Sequence, residues 1–169
     1  PHTITGVLVA GASYTLIETA APAGYTIADP VTFTANTTAL PKFVNMKDKQ
    51  TEITFSKKAI TGTAELPGAT LSIYDAQGNI VKDANGNDLT WVSGTTPHVI
   101  TGALVIGKTY TLVEETSPHG YTVAESITFT LLNDGTIQGT DGSQTITMKD
   151  CETEITFSKQ ALTGTGELP

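Results

Sequence analysis

A stretch of the chain, KDKQTEITFSKKAITGTAELP at residues 47–67, returns as KDCETEITFSKQALTGTGELP at 149–169, displaced by 102 positions. A second pair, PHTITGVLVAGASYTLIE at 1–18 and PHVITGALVIGKTYTLVE at 97–114, is displaced by 96. The difference of six falls between VTFT at 31–34 and NMKD at 45–48, where the later copy carries the longer segment LLNDGTIQGTDGSQ. A period near 100 residues is that of a whole domain and not of a short solenoid turn. The expected organisation is the back part of one copy (1–48), a complete copy (52–150) and the first strand of a following copy (152–169). Such a chain reads as a window on a longer tandem array.

Within a copy, no long stretch has a helical apolar period. Short alternating runs are separated by GASY, PAGY, AQGN, NGND and NDGT, the residues that turns favour. Threonine is abundant and suits the half-buried pleated surface of a sheet. The expected class is all-β, a sandwich. The single cysteine, Cys151, excludes an intrachain disulfide as its staple.

Three of the alternating runs end in a charge on their apolar row. In ITFSK, Ile53, Phe55 and Lys57 share a face; in YTLVE, Tyr110, Leu112 and Glu114 do; in ITMKD, Ile146, Met148 and Asp150 do. Lone buried charges are costly, whereas three that meet can neutralise one another. One outcome is a buried salt-bridge cluster, or strand ends that reach water. The other is covalent. Desolvation drives lysine toward the neutral amine and glutamate toward the neutral acid. Lys57 is then a nucleophile, Asp150 supplies a carboxyl carbon, and a protonated Glu114 polarises the carbonyl and shuttles protons. The product is an amide with loss of water.

The motifs ITFSK, ELPGATLSIYD, YTLVEETSPHGY and ITMKD, in this order, resemble the Cna-B (SpaA-type) domains of Gram-positive surface adhesins and pilins. The resemblance covers the complete copy and both partial ones. It implies a prealbumin-like, reverse immunoglobulin β-sandwich. It also implies an autocatalytic isopeptide bond from a first-strand lysine to a last-strand Asn or Asp, assisted by the glutamate of the E-box. Those positions match Lys57, Asp150 and Glu114. Lys58 lies on the polar face with Gln160 as its counterpart, and Glu115 corresponds to Thr19, so neither is preferred. The preceding copy carries the equivalents Glu18 and Asp48, and the following one Lys159. The partners expected for Asp48 and Lys159 lie upstream of Pro1 and beyond Pro169, or on another chain.

The remaining candidates are weaker. His2, His98 and His119 lack metal-ligand spacing, and Trp91 is expected to pack. Asp83, Asn85 and Asn87 open like a calcium loop, but Asp88 and Gly94 stand where its glycine and closing glutamate belong. No cofactor and no metal are expected. The formal net charge of −8 and the absence of arginine exclude a nucleic-acid partner and an anionic membrane surface, and no apolar run is long enough to span a bilayer. The expected function is a structural stalk of a bacterial cell-surface adhesin or pilus-like protein, extracellular and cell-wall-anchored. Neighbouring repeats are its partners, with head-to-tail contact between chains as a further one. The competing function is an adhesin module that binds host protein or glycan. The chemistry consumes its own residues, so no turnover enzyme is expected.

Overall fold

The computed structural model describes residues 1–38, 42–140, 142–160, 162–163 and 165–167. Asp141 of the long hairpin, and Ala161, Gly164, Leu168 and Pro169 of the last repeat segment, lie outside the described residues. All regular elements among the described residues are strands. Among the described residues, no helix is long and apolar enough to cross a membrane.

Residues 52–150 form two facing sheets. One holds β3 (Glu52–Ala59) between β6 (His98–Thr101) and β9 (Thr145–Asp150); the other has the order β5 (Thr90–Val92), β4 (Thr70–Asp75), β7 (Thr109–Thr116), β8 (Ile127–Thr130). Alternation decides what lies between them. Ile53, Phe55, Ile146 and Met148 point inward from the first sheet and meet Leu71, Ile73, Tyr110, Leu112 and Phe129 from the second. The outward threonines pair across strands, Thr109 with Thr130 at 2.8 Å and Thr70 with Thr116 at 2.9 Å. That use of the outer face accounts for the abundance of threonine.

The first and last strands of the copy, β3 and β9, are neighbours and parallel, with Lys57 in register with Met148 and Ala59 with Asp150. A parallel pair cannot be closed by a hairpin, so its two strands come from opposite ends of the copy.

Ahead of this sandwich, β1 (Ser13–Leu16) and β2 (Val31–Thr34) form a two-stranded sheet. Its register, Tyr14 with Phe33 and Leu16 with Val31, is that of Tyr110 with Phe129 and Leu112 with Ile127, displaced by 96. Even the turn before the strand is copied: Val9 N–H donates to the Tyr14 hydroxyl and Val105 N–H to that of Tyr110, each at 2.9 Å. The run ITFSK at 155–159, by contrast, forms no ladder, and Ile155 and Phe157 are exposed. Its sequence is that of β3. A strand, however, needs partner strands for its backbone groups, and none flanks this run among the described residues.

Candidate functional site

Each charge that ends an inward row is buried, with Lys57, Glu114 and Asp150 exposed by 1, 3 and 0 %. Lys57 arrives on β3, Asp150 on the adjacent β9, and Glu114 on β7 of the facing sheet, so the three close one end of the core. The Lys57 ammonium donates to Asp150 Oδ1. Its Nζ also lies 3.1 Å from Glu114 Oε1. That second approach is an ion pair without hydrogen-bond alignment, because Glu114 Oε1 has no hydrogen-bond partner, and neither has Asp150 Oδ2.

Local structure holds each member. Glu114 Oε2 accepts a 2.6 Å hydrogen bond from Ala124 N–H, which ties the strand to the loop that follows it. On β3, Glu65 grips the backbone around the lysine: its Oε2 accepts from Lys57 N–H at 2.9 Å and its Oε1 from the Ser56 hydroxyl at 2.6 Å. Leu66 N–H closes the same turn on Lys57 C=O at 2.7 Å. Lys58 points outward, 3.8 Å from Glu65 Oε1. Glu65 received no role from the sequence, although ELP recurs at 65–67 and 167–169 and could have pointed to it.

Two carboxylates and one ammonium leave the buried cluster with one surplus negative charge when all are ionised. Burial accordingly pushes the Glu114 carboxyl above its ordinary range; Asp150 adds to this, while Ala124 N–H and Lys57 oppose it. A proton on Glu114 removes the surplus charge. It also supplies a donor where two acceptor oxygens stand unpartnered. The arrangement sets an amine nitrogen against a carboxyl carbon with an acid beside them, out of water. This geometry suits condensation through proximity and desolvation.

The other named residues are not brought together. Glu18 is half-buried and repeats the Glu114 anchor, accepting from Ala28 N–H at 2.7 Å, but among the described residues no lysine pairs with it. Asp48 and Lys159 are exposed. Glu115 accepts from the Tyr74 hydroxyl at 2.8 Å on the outer surface. Asp83 accepts from the backbone N–H groups of Asn85 and Asn87, both at 2.9 Å, and so closes a turn on itself. Trp91 packs at 5.3 Å on Phe55 and stacks at 4.5 Å on His98. Cys151 is exposed. Among the described residues, no three His, Cys, Asp or Glu side chains form a group that could hold a metal ion.

Comparison with known proteins bears on the same region. The family model of the SpaA prealbumin-like fold domain matches residues 51–145. No curated protein matches the chain. Among solved structures, the shaft pilin SpaA of Lactobacillus rhamnosus GG is similar over 85% of this chain and 64% of its own, with 21% identity and a TM-score of 0.47. The group B streptococcus pilus 2b backbone protein is similar over 80% of this chain and 52% of its own, with 21% identity and a TM-score of 0.50. The chain thus spans between half and two thirds of these proteins, and identity this low speaks to the fold alone.

Proposed function

The chain belongs to the SpaA prealbumin-like domain family, and from that premise we propose that it is a stretch of structural stalk in a pilus or adhesin on a Gram-positive cell surface, anchored to the cell wall. Its modules follow one another in tandem: residues 1–48 complete one, 52–150 form the next, and 152–169 begin a third. Each is locked by an amide between a first-strand lysine and a last-strand aspartate, here Lys57 and Asp150.

The observation that carries this is the burial of Lys57 against Asp150 with Glu114 alongside. Glu114 in its acid form hydrogen-bonds the Asp150 carboxyl, and the neutral Lys57 amine attacks its carbon. The C–N bond forms, one C–O bond breaks, and the departing oxygen leaves as water with two protons. Both come from the starting Lys57 ammonium, one released as it becomes the neutral amine and one as the amide forms. Glu114 relays protons and ends as it began. Asp48 and Glu18 have the same parts in the preceding module, and Lys159 in the following one, with partners from neighbouring sequence or another chain.

The mechanical consequence follows from β3 and β9 being adjacent and parallel. Force entering at the first strand and leaving at the last passes directly through the amide, so the sandwich between them is not unzipped. Intact mass of the folded protein tests the bond. The expected value is about 18 Da below that of the sequence, one water for one amide, with the full mass restored by Lys57→Ala, Asp150→Ala or Glu114→Ala. A folded protein of full mass would leave a buried ion cluster in place of the bond.

A further inference from the structure

Two loops of the same sequence pattern, GYTIA at 24–28 and GYTVA at 120–124, occupy opposite ends of the complete module. Both are stitched to the chain segment that leaves their own module. Thr26 N–H donates to Lys49 C=O and Thr51 N–H to Gly24 C=O; Thr122 N–H donates to Cys151 C=O and Thr153 N–H to Gly120 C=O, all at 2.8–2.9 Å. Their surroundings differ. Gly24, Thr26 and Ala28 are buried, whereas Gly120 and Thr122 are exposed and Val123 is 56% exposed.

The cover on the first loop is the complete module. Ile27 N–H donates to Asn133 C=O at 3.0 Å, Thr51 Oγ1 donates to Leu104 C=O at 2.7 Å, and Gly102 N–H donates to Thr51 C=O at 2.8 Å. The fit needs bare backbone. A Cβ on Gly24 would lie 2.1 Å from Gly102 C=O, and one on Gly135 would lie 2.8 Å from Thr26 Cγ2. Asn133 and Gly135 belong to the hairpin that is longer in this copy, so its extra length has a use: it reaches the module before it.

We infer that the exposed loop Gly120–Ala124, with Thr153, is a docking face for a further copy of this module, seated as the first loop is seated on Gly102–Leu104 and the Asn133–Gly135 hairpin. Thr153 takes the place of Thr51, and Val123 N–H takes that of Ile27 N–H, finding its acceptor on the incoming hairpin. Backbone hydrogen bonds on both sides of a three-residue connection make the junction stiff. A stalk of such modules then holds a set angle at every joint. The inference rests on the tandem-module reading, and it is independent of whether the amide forms.

The test extends the full chain after Pro169 by a second copy of residues 68–150, in register because Pro169 corresponds to Pro67. Amide hydrogen exchange is followed by NMR. In the present chain Ile27 N–H is protected and Val123 N–H exchanges freely. In the extended chain Val123 slows by at least about tenfold, and Gly120→Ala abolishes that slowing. In the present chain Gly24→Ala frees Ile27 while Ile73, in the core, stays protected. Val123 exchanging equally fast in both chains would overturn the proposal, as would an unprotected Ile27 in the present one. The intact mass of the extended chain reports separately on the amides. A deficit of two waters with an open Val123 removes the interface and leaves the crosslinked stalk. A slowed Val123 at full mass does the reverse.

Discussion

Lys57 stands opposite Met148 in the β3–β9 register, yet its ammonium meets Asp150, two residues farther along the parallel partner. The lysine side chain is long enough to span that diagonal along the inward face. Met148 fills the position beside it and is itself buried, so the two groups meet against the core. A pair set this way is presented by two strands that cannot slide without breaking the whole ladder.

The first prediction concerns Glu114. Glu114→Gln keeps a carbonyl oxygen for Ala124 N–H but has no acid to relay protons. It should fold and retain its full mass. The proposed crosslink would close a loop between positions 93 apart, and crosslinking of that span is worth about 4–5 kcal/mol in the chain-entropy model. A calorimetric melting temperature at least about 10 °C below wild type is expected. Crosslinking at the wild-type rate in this variant would assign the proton relay to another group.

Glu65 holds the backbone of Lys57, the proposed nucleophile. Glu65→Ala leaves Lys57 N–H and the Ser56 hydroxyl without their acceptor, a loss of about 1–3 kcal/mol in denaturant titrations. Loss of water after refolding should also slow, and Glu65→Gln, which keeps one acceptor, should recover part of that rate. An equal rate in all three proteins would reduce Glu65 to a structural clamp.

A pH dependence follows for Lys57→Met, which cannot crosslink and lacks the ammonium that holds the Glu114 pKa down. Burial and Asp150 then act together to raise it. Above the ordinary glutamate value the folded state retains a proton that the unfolded chain has lost, so stability falls as pH rises toward the raised folded pKa. Melting temperatures measured across that window should decline with pH; a flat profile would mean that Glu114 is not desolvated.

His98 offers a spectroscopic check on the fold. Burial pushes its imidazole below the ordinary value, and the ring stacks on Trp91 with an interplanar angle of 14°. Trp91 fluorescence should titrate with a midpoint below the usual histidine range, and His98→Gln should abolish the transition. The neutral ring is the one the fold favours, so this contribution to stability is present above the unfolded pKa and is lost as pH falls through that range.

Much of this was legible in the sequence because a strand repeats every two residues. Period-two alternation put Lys57, Glu114 and Asp150 on inward rows, and the copy-to-copy comparison separated Lys57 from Lys58 and Glu114 from Glu115. Alternation describes one strand at a time, however. It could not say that β3 and β9 would lie side by side, that β7 would face them from the other sheet, or that Glu65 would reach back to Lys57 N–H. The same limit explains ITFSK, which lies inside β3 at 53–57 and, among the described residues, is an exposed run with no strand ladder at 155–159. Side-chain pattern sets which face a strand would bury, a local property carried by the residues themselves. Whether the strand exists, and which charges meet at its end, depends on hydrogen-bond partners that only the folded chain brings alongside.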